Sequence, residues 1–170
     1  MTTPTQEIST TSPGLFALTL VAALSCGTVA GVFFGFSAFV MDGLGRLPAP
    51  QGIAAMQSIN ISAVRPAFMT ALFGAAAACL ALVVWSLLAW GQRGSALLLV
   101  GAALYLVGTI GLTIVYHVPL NDALATVDPN SAAAAGRWAG YLADWTRWNH
   151  VRTAAALAAA AAFTVVLAWS

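Results

Sequence analysis

Long apolar segments alternate with shorter polar segments along this chain. Four of the apolar segments carry almost no charge, and each reaches the ~20 residues that an α-helix needs to cross the hydrocarbon of a bilayer. The pattern therefore predicts an all-α protein, a four-transmembrane-helix bundle. The expected spans are about 14–40, 66–90, 95–117 and 150–169.

The polar segments between the spans carry their own signals. Residues 1–13 are rich in Thr, Ser and Pro, which is typical of a disordered tail, so 14–170 is predicted to form a single membrane domain. Residues 51–64 have apolar side chains at helical spacing, which predicts a short interfacial helix in the first long loop. Pro119 is expected to end the third helix, and the final helix is expected to be extended, with glycines where it could bend.

Composition restricts the class of protein further. The chain is 61% hydrophobic and only 6% charged, far below the roughly 25% charged residues of a soluble domain. A water-soluble monomer is excluded, and the lipid bilayer is the expected environment. The formal net charge of +1 and the absence of Lys/Arg clusters disfavour a nucleic-acid partner.

Most of the charged residues fall in the two long loops, which four spans would place on the same side of the membrane. Arginine is concentrated in these loops, and loops rich in Lys and Arg usually stay on the inner side. The sequence predicts an integral, multi-pass membrane protein with its long polar loops in the cytoplasm.

Three glycines of the first span recur every four residues: Gly27, Gly31 and Gly35. Residues at this spacing share one helix face, and bare backbone on such a face allows another helix to approach closely. The partner could be a helix of the same chain or a second copy in a homodimer.

Polar side chains also follow helical spacing toward the end of the third span. Thr109, Thr113 and His117 are four residues apart, so hydroxyl groups lead along one face to an imidazole. Asp144, Trp148 and Arg152 have the same spacing near the start of the last span. These residues either form a site, or they are an aromatic belt and an ion pair at the membrane interface.

The chain has two histidines, and both belong to the polar side. His117 and His150 with Asp122 or Asp144 would satisfy the ligand list of a non-haem iron site, and iron or copper is therefore an alternative. No His-x-x-x-His or Glu-x-x-His spacing supports it. The sequence contains no phosphate-binding loop, dinucleotide fingerprint or serine nucleophile elbow, which disfavours nucleotide cofactors and triad hydrolysis.

Four short motifs follow one another along the chain: Gly31-x-x-x-Gly35, Met56-Gln57-Ser58-Ile59-Asn60, Val118-Pro119-Leu120-Asn121 and Trp145-x-x-Trp148-Asn149-His150-Val151-Arg152. This ordered set resembles the anthrone-oxygenase-like membrane proteins, whose bacterial branch was long catalogued as a domain of unknown function. In that family the residue before Val-Pro-Leu-Asn is usually Asn, whereas here it is His117.

The resemblance implies four helices and, as in the fungal members, a monooxygenase that oxidises an anthrone or another hydrophobic aromatic polycycle to a quinone. An anthrone that has lost a C–H proton can reduce dioxygen directly, so the implied enzyme works with a base and a pocket and without a cofactor. Imidazole is suited to take a proton near neutral pH. His150 is the first candidate for this base, and His117 is the alternative.

The other expected site residues would bind the substrate. Amide and guanidinium groups could hold the oxyanion, the indole rings could stack on a flat polycycle, and an ionisable residue at the membrane edge is a candidate by default. This set consists of Asn60, Asn121, Asp144, Trp145, Trp148, Asn149 and Arg152.

A non-enzymatic reading stays open beside the enzyme. The chain could be an accessory subunit or a small-molecule permease. A permease commonly shows two similar halves, and residues 14–90 and 95–170 share no evident repeat.

Overall fold

The structure, a computed structural model, describes residues 12–169. The predicted tail therefore lies outside the described residues, apart from Ser12 and Pro13. The Ser12 hydroxyl accepts a hydrogen bond from the Leu15 backbone N–H at 3.3 Å, and Pro13 occupies the first turn, so both residues start a helix in the usual way. The elements are α1 Pro13–Gly45, α2 Ala49–Ala63, α3 Pro66–Leu88, α4 Ser95–Ala125 and α5 Ala134–Leu167.

The predicted fold class is confirmed. The described residues form helices and no strand, and α1, α3, α4 and α5 are long and apolar enough to cross a membrane. The interfacial helix predicted at 51–64 is α2. The multi-pass membrane assignment follows from the four helices, whereas the sidedness of the loops stays a prediction.

The sequence suggested that the third span ends before Pro119, and this prediction is wrong. Helix α4 continues through Pro119 to Ala125. In a regular α-helix a proline ring collides with the carbonyl group of the preceding turn. Here Thr113–His117 forms a wider π-helical turn, in which the Val118 N–H reaches back five residues to the Thr113 carbonyl. We attribute the tolerance of Pro119 to this wider turn.

The final helix is one uninterrupted element. With 34 residues α5 is about 51 Å long at 1.5 Å per residue, clearly longer than the roughly 30 Å of hydrocarbon. Its helix continues through Gly136 and Gly140, the two glycines where a bend was considered. The N-terminal part of α5 therefore extends beyond the hydrocarbon and carries aromatic residues toward the long loops.

Small residues bring α4 and α5 into close contact in the membrane. A Cβ atom at Gly108 would lie 2.5 Å from the Ala155 Cβ, and one at Gly101 would lie 2.8 Å from the Phe163 ring. Any larger residue would force the helices apart. This contact helps to determine which face of α5 is directed into the bundle.

A second apolar cluster forms the end of the bundle near the long loops. Helix α2 packs there against α5, where Gly52 lies under the Trp138 ring. The Gln57 side-chain amide donates hydrogen bonds to the Leu124 and Val127 carbonyls at 2.9 and 3.0 Å and so ties α2 to the end of α4. Helix α2 is thereby held as a roof over the bundle.

The glycine face of α1 has little packed against it within the chain. Within residues 12–169, a Cβ atom at Gly27 or Gly31 would have no atom of another helix within 4 Å, and one at Gly35 would meet only the ring of Phe39 from the same helix. A homodimer through these glycines stays a prediction.

Candidate functional site

A cavity of about 590 Å³ lies under the α2 roof and reaches all four long helices. Its volume is within the roughly 300–1,000 Å³ typical of small-molecule sites. Most of its wall is aliphatic or aromatic. The polar and indole groups that line it are Ser58, Asn60, Ser62, Thr113, His117, Asn121, Trp145 and Arg152.

Helix α4 supplies the imidazole of this wall. The His117 side chain is 1% exposed, and its Nδ1 lies 3.3 Å from the Leu112 carbonyl oxygen. Because a carbonyl can only accept, this contact assigns the hydrogen of the neutral ring to Nδ1. The other nitrogen, Nε2, is buried without a hydrogen-bond partner among the described residues. No donor among the described residues occupies its lone pair.

Helix α5 supplies a buried cation. The Arg152 side chain is 5% exposed, and its guanidinium carbon lies 3.7 Å from the Phe33 ring centroid and 5.0 Å from that of Trp145. Among residues 12–169, no carboxylate lies within ion-pair distance of it. A buried charge without a counter-charge is costly, and such residues in membrane proteins usually mark a binding site.

Neutral side chains hold the guanidinium in place. Arg152 Nε donates to Asn149 Oδ1 at 2.6 Å, and Nη1 donates to Thr113 Oγ1 at 3.3 Å. The Asn149 amide nitrogen in turn donates to the Phe33 carbonyl at 2.7 Å and to the Ser37 hydroxyl. Asn149 is fully buried and does not line the cavity, so its structural part is to orient Arg152.

Asn121 organises the part of the wall around Trp145. Its Oδ1 accepts hydrogen bonds from the Tyr141 hydroxyl at 2.8 Å and from Trp145 Nε1 at 3.2 Å. The Trp145 ring meets the His117 ring edge-on, with the centroids 5.3 Å apart. The Asn60 amide nitrogen is buried without a partner among the described residues, so a donor is available near these groups.

The expected site residues thus fall into two groups. The structure brings together at the cavity His117, Asn60, Asn121, Trp145 and Arg152, with Asn149 behind Arg152.

The other expected site residues lie outside the cavity. His150 and Asp144 are exposed on the outer face of α5, and Trp148 stacks on Tyr116 with the ring centroids 4.1 Å apart. The inward face of α5 includes Trp145, and positions 144, 148 and 150 point elsewhere because successive residues turn by about 100°.

Sequence reasoning missed the contribution of α1. Phe33 covers the Arg152 guanidinium, and Ser37 binds the amide that orients it. A hydroxyl residue inside an apolar span was the available signal for Ser37. Phe33 offered none, because it is one of many apolar residues in its span.

The described part of the chain has no group of three His, Cys, Asp or Glu side chains placed to hold a metal ion. His117 is buried at the cavity while His150 is exposed, so the two imidazoles considered for an iron site are separated.

Comparison with known proteins gives the family. The family model of anthrone oxygenases matches residues 66–162, more than half of the chain, including α3, α4 and the cavity side of α5. The chain belongs to the anthrone oxygenase family. The match confirms the resemblance seen in the short motifs and supports an oxygenase-type function. No curated protein and no solved structure matches the chain.

Proposed function

We propose that this anthrone oxygenase family member oxidises an anthrone-type substrate with dioxygen inside the cavity, with His117 as the base and Arg152 as the oxyanion-binding group. One observation carries the proposal: His117, whose Nε2 has no hydrogen-bond partner among the described residues, and Arg152, which has no carboxylate partner among them, line the same mainly apolar cavity. This pair suits a reaction in which a neutral ligand becomes an anion.

In the first step, His117 Nε2 takes a proton from the acidic CH2 group of the central ring, which lies opposite the carbonyl carbon. The electron pair of that bond moves into the rings, and the negative charge collects on the carbonyl oxygen. Arg152 and the Asn60 amide donate hydrogen bonds to this oxyanion. Fixed donors stabilise such a charge more strongly in a site of low dielectric constant than in water.

Dioxygen is the oxidant in the second step. The substrate anion passes one electron to dioxygen, and the resulting superoxide and carbon radical combine to form a C–O bond. His117 returns its proton to the new peroxide. Loss of the second C–H proton then forms the carbonyl and breaks the O–O bond, and hydroxide leaves with that proton as water. One anthrone and one dioxygen thus give one anthraquinone and one water, with no cofactor required.

The test is oxygen uptake and anthraquinone formation by detergent-purified protein given 9-anthrone, measured above the spontaneous rate. We expect His117→Gln to lower the enzymatic rate by about 10²–10⁴-fold, the contribution of a general base. His150→Gln is the matched control, because this histidine lies outside the cavity, and it should keep the wild-type rate.

Equal rates for His117→Gln and wild type, with both samples folded by thermal melting, would refute the base assignment. No acceleration by the wild-type protein with this or other polycyclic anthrones would refute the proposed reaction and favour a non-enzymatic role.

A further inference from the structure

The cavity has an apolar side where α3 and α4 separate. Helix α3 packs closely against Ser95–Ala103, less against Leu104–Gly111, and has almost no contact with Thr113–His117. The two helices therefore diverge from the Gly91–Gly94 turn toward the α2 roof. The divergence leaves a gap at the level of the cavity.

Two residues border this gap from opposite helices. Phe73 on α3 and Ile114 on α4 line the cavity, yet they are 58% and 62% exposed on the outside of the bundle. Side chains that face both the cavity and the surroundings mark an opening. Phe73 lies seven residues into α3, about 10 Å from Pro66 along the helix axis, so the opening faces hydrocarbon.

A second recess, half of whose lining residues are polar, adjoins the cavity. This polar recess of about 390 Å³ lies between α2 and the end of α4 and shares Asn60, Val64, Val118 and Asn121 with the cavity. Gln57 and the exposed Asp122 also line it, so it belongs to the long-loop end of the bundle. The cavity thus has an apolar gap between α3 and α4 and, toward the loops, a neighbour of mixed polarity.

We infer that the ligand is a membrane-dissolved polycyclic molecule with one acidic hydroxyl or enolisable carbonyl group, and that it enters sideways from the bilayer between Phe73 and Ile114. The apolar rim admits the ring system, and Arg152 at the inner wall receives the oxygen, which gives the ligand one orientation. The nature of the polar group rests on the proposed function, whereas the route rests on the helix divergence and on the exposure of Phe73 and Ile114.

The experiment measures exchange of 1-hydroxypyrene, a fluorescent polycyclic phenol, between the protein and phosphatidylcholine nanodiscs that contain it. Stopped-flow energy transfer from tryptophan gives the association and dissociation rate constants. Binding in the cavity is defined as the part of the energy-transfer signal that excess 9-anthrone abolishes. Substitutions at the opening should change both rate constants in the same direction, because an entrance affects the barrier and not the bound state.

We expect Ile114→Phe to lower both rate constants by about tenfold, which corresponds to about 1.4 kcal/mol on the barrier, with Kd nearly unchanged. Phe73→Ala should raise both. The matched controls are Val107→Phe on α4 and Phe34→Ala on α1, since both residues are exposed but do not line the cavity. These two variants should exchange the probe at the wild-type rates.

Unchanged rate constants in Ile114→Phe and Phe73→Ala, or a change in Kd alone, would overturn the lateral route. Slower exchange in Asp122→Phe but not in Ile114→Phe would place the entrance at the polar recess. Absence of anthrone-sensitive probe binding to the wild-type protein would overturn the inference as a whole, as would a lipid chain occupying the cavity. Lateral exchange without anthraquinone formation would refute the proposed reaction and leave the entrance standing.

Discussion

Replacing Arg152 by methionine should separate activity from stability. The substitution keeps a long side chain between the Phe33 and Trp145 rings and removes the charge. Two hydrogen bonds from the guanidinium are lost, to Asn149 Oδ1 and Thr113 Oγ1. The same substitution removes the cost of keeping a cation away from water without a carboxylate. The two effects act on the free energy of unfolding in opposite directions.

The magnitudes are comparable. Hydrogen bonds from a charged donor contribute about 1.5–3 kcal/mol each, and a desolvated cation over a ring contributes about 2 kcal/mol. Burying the ion costs several kcal/mol, and replacement of buried ions by apolar residues is often neutral or stabilising. We therefore expect Arg152→Met to change the free energy of unfolding by less than about 2 kcal/mol. For a chain of this length, that corresponds to a shift in Tm below about 8 °C.

Activity should respond much more strongly. Loss of one oxyanion donor usually lowers kcat by about 10²–10³-fold, and Arg152 is the charged donor at this site. The assay combines anthraquinone formation with thermal melting of the same detergent-purified sample, and Arg152→Lys is the comparison variant that keeps the charge. Full activity in Arg152→Met would refute the oxyanion role. Loss of folding together with activity, in Met and Lys variants alike, would show instead that Arg152 is structural.

Two further predictions concern residues that position the site. Asn121→Ala removes the acceptor shared by Tyr141 and Trp145. We expect a roughly tenfold lower rate of anthraquinone formation and a shifted tryptophan emission maximum. Normal emission together with normal activity would contradict this positioning role. Gly52→Val places a side chain where even a Cβ atom would lie 2.8 Å from the Trp138 ring. Thermal melting should therefore show a free energy of unfolding that is lower by about 1–3 kcal/mol. The same change at Gly43, where a Cβ would have open space, should lower it less.

The helices could be predicted from the sequence because they depend on local properties of the chain. Uncharged segments of spanning length can satisfy their backbone groups in lipid only by forming helices, so the spans follow from the order of residues alone. The start of α2 was predicted almost as well. The end of α4 was not, because a π-helical turn before Pro119 depends on how the helix packs and not on the proline itself.

The site could be predicted only in part, because helical spacing defines a face but not its direction. Residues four apart differ by about 40° around an α-helix, so the row Asp144, Trp148 and Arg152 turns by about 80°, and only Arg152 of this row lines the cavity. Trp145 therefore lines the cavity, while His150, first choice for the base, is exposed. Only tertiary contacts between α4 and α5 decide between such adjacent faces.

The residue type at position 117 bears on which substrates the proposed reaction could accept. In the family pattern that the chain resembles, this position is usually Asn, which can donate a hydrogen bond to an oxyanion but cannot take a proton. An Asn site therefore suits substrates acidic enough to ionise without help. Under the proposed function, an imidazole whose Nε2 has no hydrogen-bond partner among the described residues would extend the same reaction to substrates with a less acidic C–H group. We therefore expect His117→Asn to keep the oxidation of strongly acidic anthrones and to lose that of weakly acidic ones, and equal losses for both would contradict the proposed base role.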